Sequence, residues 1–188
     1  MDFPLKIETS RLILEAPENV TFALAEEIYA VVEKSRTHLT PFLPWAKTML
    51  SAEQEFLYLK DYAEKRRIEH TAFVYLIYEK KAHTFLGVID LMDINLKHKS
   101  AEIGFWLGVH ATGHGYMLEA VKALEKQAFN QGFNRIVIGN DTQNIKSANV
   151  AKNAGYHLDG IMRQDRFDEE TGFRNSNIWS KLKEEHHE

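Results

Sequence analysis

Gly108-Val109-His110-Ala111-Thr112-Gly113-His114-Gly115-Tyr116-Met117 is the stretch that decides the fold. Before it, Ala101 to Gly108 reads as a strand; after it, Leu118, Val121, Leu124 and Ala128 recur at helical spacing to about Gln131. Another strand, Arg135 to Gly139, follows. A strand-helix-strand unit of this length implies a parallel pair with a right-handed crossover. The start of the helix leaves main-chain N–H groups unpaired and carries a partial positive charge. Gly113 and Gly115 place no side chain before those donors, so the loop can cradle an anion without Lys or Arg. Two familiar phosphate loops fail here. A P-loop needs Lys-Ser/Thr after its last glycine, where Tyr116-Met117 stands, and a dinucleotide fingerprint needs a third glycine where Leu118 stands. The same residues would also serve a plain strand-to-helix turn.

Outward from the loop, three strands are expected upstream as an antiparallel meander: Phe73 to Tyr78, Thr84 to Leu91 and Ala101 to Gly108. Residues Glu79 to His83 form the first turn of that meander. Arg11-Leu12-Ile13-Leu14 reads as an opening strand. Phe22, Leu24, Ala25, Ile28, Val31 and Val32 mark an amphipathic helix, and Pro41-Phe42-Leu43-Pro44-Trp45 a stiff aromatic loop. Ser51-Ala52-Glu53-Gln54 fits a capping box opening a helix to about Glu69, with Phe56, Leu59, Tyr62 and Ala63 as its apolar stripe. Downstream, a short helix Ser147 to Ala154 and strands Ile161 to Arg166 and Ile178 to Leu182 complete one domain over residues 1–188, with Glu184 to Glu188 as a frayed tail.

The composition, 44% hydrophobic and 27% charged, is that of a globular domain. With 23 Lys+Arg against 27 Asp+Glu, the net charge of −4 argues against a general grip on nucleic acid. The longest apolar run, Ala72 to Tyr78, falls far short of the roughly 20 residues of a membrane helix. Met1-Asp2-Phe3-Pro4 has neither a basic nor an apolar signal region, so a cytoplasmic protein is expected. There is no cysteine, hence no disulfide framework, thiolate metal site or cysteine nucleophile. His110 and His114 are four apart but lack a His-Glu-x-x-His frame, so no metal is expected.

His110-Ala111-Thr112-Gly113-His114-Gly115 is similar to Gln/Arg-x-x-Gly-x-Gly/Ala, the pyrophosphate loop of the GNAT acetyltransferases, with His in the first position. From residue 8 to about 182 the sequence resembles the RimJ/RimL-type ribosomal-protein N-terminal acetyltransferases of that superfamily. The matching blocks are Glu8-Thr9-Ser10-Arg11-Leu12-Ile13-Leu14, Leu43-Pro44-Trp45, Ala101-Glu102-Ile103-Gly104-Phe105-Trp106-Leu107, and Asn144-Ile145-Lys146-Ser147 running on to Gly155-Tyr156. Two departures are His110 and Arg174-Asn175, where relatives often show Arg-Asp. The resemblance implies a mixed α/β GNAT fold, a mostly antiparallel, splayed mixed sheet of about seven strands flanked by about four helices.

It also implies acetyl-CoA as cosubstrate and transfer to a primary amine, foremost a protein N-terminus. A small-amine acetyltransferase and a non-catalytic acyl-CoA sensor are the alternatives. The cofactor residues it implies are Leu107, Gly108, Val109, His110, Thr112, Gly113, His114, Gly115, Tyr116, Met117, Asn144, Ser147 and Asn149. The sheet would splay around Leu107-Gly108-Val109, with Gly108 suited to a bulge or a close approach. Glu102 is the candidate general base, against a solvated Glu pairing with Lys97 or Lys99. Ser147 is the candidate acid for the leaving thiolate, against a helix N-cap, and Tyr156 the alternative acid, against a core tyrosine. Without cysteine, direct transfer in a ternary complex is expected. A homodimer is left open.

Overall fold

The computed structural model describes residues 3–64 and 71–186. The proposed continuation of the third helix to Glu69 and the basic run Lys65-Arg66-Arg67 lie outside the described residues. Strands β1 (Lys6–Glu8) and β2 (Leu12–Glu15) precede helices α1 (Phe22–Leu39), α2 (Trp45–Thr48) and α3 (Ala52–Glu64). The meander β3 (Phe73–Glu79), β4 (Phe85–Asn95) and β5 (Ser100–Leu107) leads through a 3₁₀ turn, Val109–Ala111, into α4 (Tyr116–Asn130). Then come β6 (Arg135–Asp141), α5 (Ile145–Asn153), β7 (His157–Asp168) and β8 (Gly172–Leu182).

The eight strands form one sheet in the order β1-β2-β3-β4-β5-β6-β8-β7. Every pair is antiparallel except β5–β6, and α4 lies between those two strands in the chain. The sheet has one more strand than expected, because the chain turns at Thr9-Ser10 and splits the opening strand into β1 and β2. The aromatic loop holds an additional short helix, α2. β7 and β8 are much longer than their apolar cores, because polar residues such as Arg166 and Arg174 sit in a hairpin held by main-chain pairing.

Period-2 alternation divides the core between the two faces of the sheet. Phe73, Tyr75, Ile77, Ile89, Leu91, Ile103 and Ile138 pack against α4 and α5. Leu76, Tyr78 and Phe85 face α1 and α3 through Ile28, Val32 and Leu59. α1 is capped by Thr21, whose hydroxyl accepts the Leu24 N–H at 3.2 Å. On α3 the Ser51–Gln54 cap is looser than expected: Gln54 N–H reaches Ser51 Oγ at 3.4 Å, and its side chain takes the N–H of Leu50. The tail is docked rather than frayed as far as His186, whose ring lies 5.1 Å from that of Phe129. No helix among the described residues is long and apolar enough to cross a membrane.

Candidate active site

The parallel β5–β6 ladder is short. It pairs Ser100, Ala101 and Glu102 with Arg135, Ile136 and Val137, and stops there. The two strands therefore part directly after Glu102, five residues earlier than Leu107, where the splay was expected. Gly108 donates its N–H to Leu86 O at 2.8 Å across the β4 side. By antiparallel alternation the main-chain groups of Ile103, Phe105 and Leu107 face the opposite edge, where β6 has left. Val109 N–H is also taken, by the buried Ser35 hydroxyl of α1 at 3.0 Å. Of the segment Leu107-Gly108-Val109, only Leu107 thus turns a donor into the splay. Gly108 is required by its own chain, since a Cβ there would stand 2.7 Å from the His110 ring and from Val31.

A cavity of about 680 Å³ runs along the α1/α3 face of the sheet and into this splay. Glu102, Asn144 and Ser147 line it together, with Phe42, Leu43, Trp45 and Trp106 among its walls. Trp45 is both wall and packing residue, its ring 5.6 Å from that of Trp106. Burial raises the pKa of Glu102, Asp93 adds to this, and Arg166 and the Gly139 N–H pull it back. The proposed pairing with Lys97 or Lys99 is not what holds Glu102; Gly139 and Arg166 are its neighbours. Two further carboxyls sit in the same cavity. Burial pushes Glu55 of α3 up to about 7. Asp90 of β4 is pushed up to about 6 by burial, with Glu102 and Asp93 adding to it and the Gly104 and Asp90 N–H groups opposing.

Asn144, not Ser147, caps α5: its Oδ1 accepts the Ser147 N–H at 3.1 Å. That frees the Ser147 hydroxyl from capping. Tyr156 is a core residue, 5% exposed, on the α4/α5 side with its hydroxyl near the buried Glu125–Lys181 pair. Asn149 is exposed and lies outside the cavity.

The glycine loop follows β5 in the chain, and none of residues 107–117 lines the cavity. Gly113 and Gly115 have φ of +84° and +75°, the left-handed region where a side chain is strained. A Cβ on Gly113 would meet nothing within 4 Å, and one on Gly115 only an Arg11 nitrogen at 3.6 Å. The glycines therefore border open space rather than packed neighbours, and Gly115 caps α4 with no side-chain bond to its first N–H groups. Tyr116 stacks with His114, with ring centroids 5.6 Å apart, and Met117 is buried in the core. His110 turns inward, Nε2 lying 3.2 Å from Phe85 O, and the Thr112 hydroxyl donates to Val109 O. Both side chains thus serve the loop's own structure.

The sequence profile of the acetyltransferase (GNAT) domain matches residues 11–157. The chain belongs to the GNAT acetyltransferases. A ribosomal-protein-serine acetyltransferase of Escherichia coli (strain K12) is 28% identical over 149 residues, 74% of this chain and 77% of that protein. YoaA of Bacillus subtilis (strain 168), an uncharacterized N-acetyltransferase, is 27% identical over 185 residues, covering 96% and 98%. Among solved structures, the ribosomal L7/L12 alpha-N-protein acetyltransferase RimL in complex with coenzyme A aligns with a TM-score of 0.87, 23% identity and coverage of 96% and 99%. As a GNAT acetyltransferase, the protein moves an acetyl group from acetyl-CoA to an amine. The open glycine loop, the bare α4 N-terminus and the unpaired inner edge of β5 fit that donor.

Several residues escaped the sequence reading. Glu119 on the first turn of α4 accepts from Thr9, Ser10 and Arg11, and Arg11 Nη1 donates to His114 O at 2.9 Å. Arg174, the departure from Arg-Asp, pairs with buried Asp141 at 2.6 Å and donates to Pro41 O at 3.1 Å, fixing the aromatic loop to the end of β6. Asn175 accepts the Gln164 N–H and lies outside the cavity. The Thr9-Ser10-Arg11 block signalled the first of these; for the second, partners 33 and 133 residues away in sequence gave no such signal.

Proposed function

We propose that the protein acetylates the N-terminal α-amine of a protein by direct transfer in a ternary complex, with Glu102 and Ser147 serving the two proton movements. The observation that carries this is their presence in one cavity, on opposite sides of the gap between β5 and β6. Acetyl-CoA supplies an activated thioester carbonyl. Transfer forms a C–N bond and breaks the C–S bond, so one proton leaves nitrogen and one must reach sulfur. Glu102, with its raised pKa, is suited to take the first, directly or through water. The Ser147 hydroxyl, released from capping by Asn144, is suited to deliver the second. The Phe105 and Leu107 N–H groups face the splay and can polarise the carbonyl; removing one such donor costs roughly 2.7–4 kcal/mol in other enzymes. The Gly113–Met117 loop would hold the pyrophosphate on main-chain donors, and positioning of this kind supplies up to about 7–11 kcal/mol of barrier. The protein acceptor follows the E. coli relative named as a ribosomal-protein-serine acetyltransferase.

The test is mass spectrometry of candidate N-terminal peptides incubated with enzyme and acetyl-CoA, with Glu102→Gln as the comparison. Acetylation at the α-amine that falls about 100-fold or more in the variant, with coenzyme A affinity within about twofold, is expected. Unchanged turnover would remove Glu102 as base. No acetylated peptide, together with thiol release on addition of a small primary amine, would favour a small-amine acceptor.

A further inference from the structure

Two buried carboxyl groups that the transfer chemistry above does not use, Asp90 and Glu55, also line the cavity. Asp90 stands mid-way along β4, 8% exposed, and its Oδ1 is buried without a hydrogen-bond partner. Gly104, directly opposite on β5, makes the room: a Cβ there would lie 2.4 Å from that oxygen. Glu55 of α3 lines the same cavity, 4% exposed, and only burial acts on its carboxyl. Glu102 pairs with Met92 one step along the ladder, so it shares the face of Asp90 on the diagonal, about 7–8 Å between Cα atoms. Tyr58 and Tyr62, with rings 4.6 Å apart, and Trp106 supply aromatic walls. Arg166 is the only basic side chain among the described residues lining the cavity, and it acts on Glu102. Lys47, near the same wall, is engaged by Asp168 at 2.9 Å and Glu170 at 3.2 Å.

A buried carboxylate without a counter-charge is costly, and a cation that enters beside it recovers that cost. Aromatic faces favour the same occupant. Resting on the amine-transfer reading above, we propose that Asp90 and Glu55 bind a second positive charge on the acceptor. The preferred substrate then carries its reacting amine at Glu102 and a further protonated nitrogen at Asp90 and Glu55. A monocationic acceptor would fill the reacting position and leave Asp90 unmatched. A free diamine and a peptide whose first side chain is lysine both present this chemistry.

Thiol release from acetyl-CoA is compared for diaminobutane against butylamine, and for a short peptide beginning with lysine against the same peptide beginning with norleucine. A kcat/KM preference for the dication of about tenfold or more is expected in at least one pair, and the pair that shows it identifies the source. The preference should fall to within about twofold of unity in Asp90→Asn and shrink in Glu55→Gln. The second variant keeps the test intact if the first fails to fold. Equal kcat/KM within both pairs, or a preference surviving both substitutions, overturns the proposal. Calorimetry of diaminobutane on the coenzyme A-loaded enzyme reads the site apart from turnover. Diamine binding weakened by either substitution, without thiol release, keeps the cation site and removes the transfer reading. Thiol release with no dication preference does the reverse.

Discussion

Glu119, at the start of α4, receives the Arg11 main-chain N–H at 2.9 Å and the guanidinium Nε at 2.7 Å. The same guanidinium reaches over the Tyr116 ring, 4.8 Å from its centroid, to His114 O. The turn between β1 and β2 is thereby bolted to the glycine loop, and the proposed anion cradle is shaped by residues from the far edge of the sheet. Removing this link with Arg11→Ala should weaken coenzyme A binding about tenfold in calorimetry while changing turnover at saturation much less. Arg11→Lys should not restore it, because an ammonium cannot span the carboxylate and the carbonyl together.

The same carboxyl governs acid stability. Burial raises the Glu119 pKa, but bonds from Thr9, Arg11 and Ser10 outweigh it and hold the group at about 2. Its folded value lies below its unfolded value, so its contribution is present above about pH 4.5 and lost as pH falls through about 2. Urea unfolding from pH 5 to pH 2 should therefore show a steeper loss in the wild type than in Glu119→Gln. Parallel curves would show that the bonds do not form in solution.

Glu55 behaves with the opposite sign. Its folded pKa of about 7 exceeds the unfolded value, so the native state binds more protons between pH 4.5 and 7 and stability falls as pH rises. Glu55→Gln should be more stable than the wild type at pH 8, by up to roughly 2–3 kcal/mol, and the gain should vanish near pH 4.5. A gain independent of pH would point to packing instead.

The cradle and the cap can be separated. Gly115→Ala places a side chain where φ is +75°, which costs about 1–2 kcal/mol, and raises a methyl beside the proposed anion site. Coenzyme A affinity should fall by about tenfold or more, beyond the loss of stability seen without ligand. Gly108→Ala should instead act on folding, by roughly 1–3 kcal/mol, because its Cβ meets His110 and Val31.

On α5, Asn144→Ala should lower stability by about 1 kcal/mol through the lost cap. Ser147→Ala should lower turnover with little effect on stability, since its hydroxyl is not the cap. Urea unfolding and steady-state rates on both variants check this division. Equal stability losses in the two would return Ser147 to a structural role.

Apart from β1 and α2, the order of elements, the parallel β5–β6 pair and the glycine loop were legible in local pattern. Period 2 in Ala101 to Leu107 and the three-and-four spacing in Leu118 to Ala128 are consequences of backbone geometry, and positive φ leaves its mark as glycine at positions 113, 115 and 155. Glu102 and Ser147 stood out as candidates only through their flanking blocks, because Glu and Ser at a strand start and in the first turn of a helix are ordinary residues. Where local signals competed, the nearer partner won: Asn144 took the cap that Ser147 could have held.

By itself, then, the sequence determined which segments become helix or strand, which faces turn inward and which loop bares its main chain, since each is set by interactions a few residues apart. The tertiary structure decided the rest. β6 leaves β5 after Glu102, the Gly108 and Val109 donors turn into the protein, Glu119 captures Arg11, and Asp90 and Glu55 line one cavity. These are contacts between groups tens of residues apart, and their burial, charge and hydrogen bonding exist only once the sheet has brought the strands together.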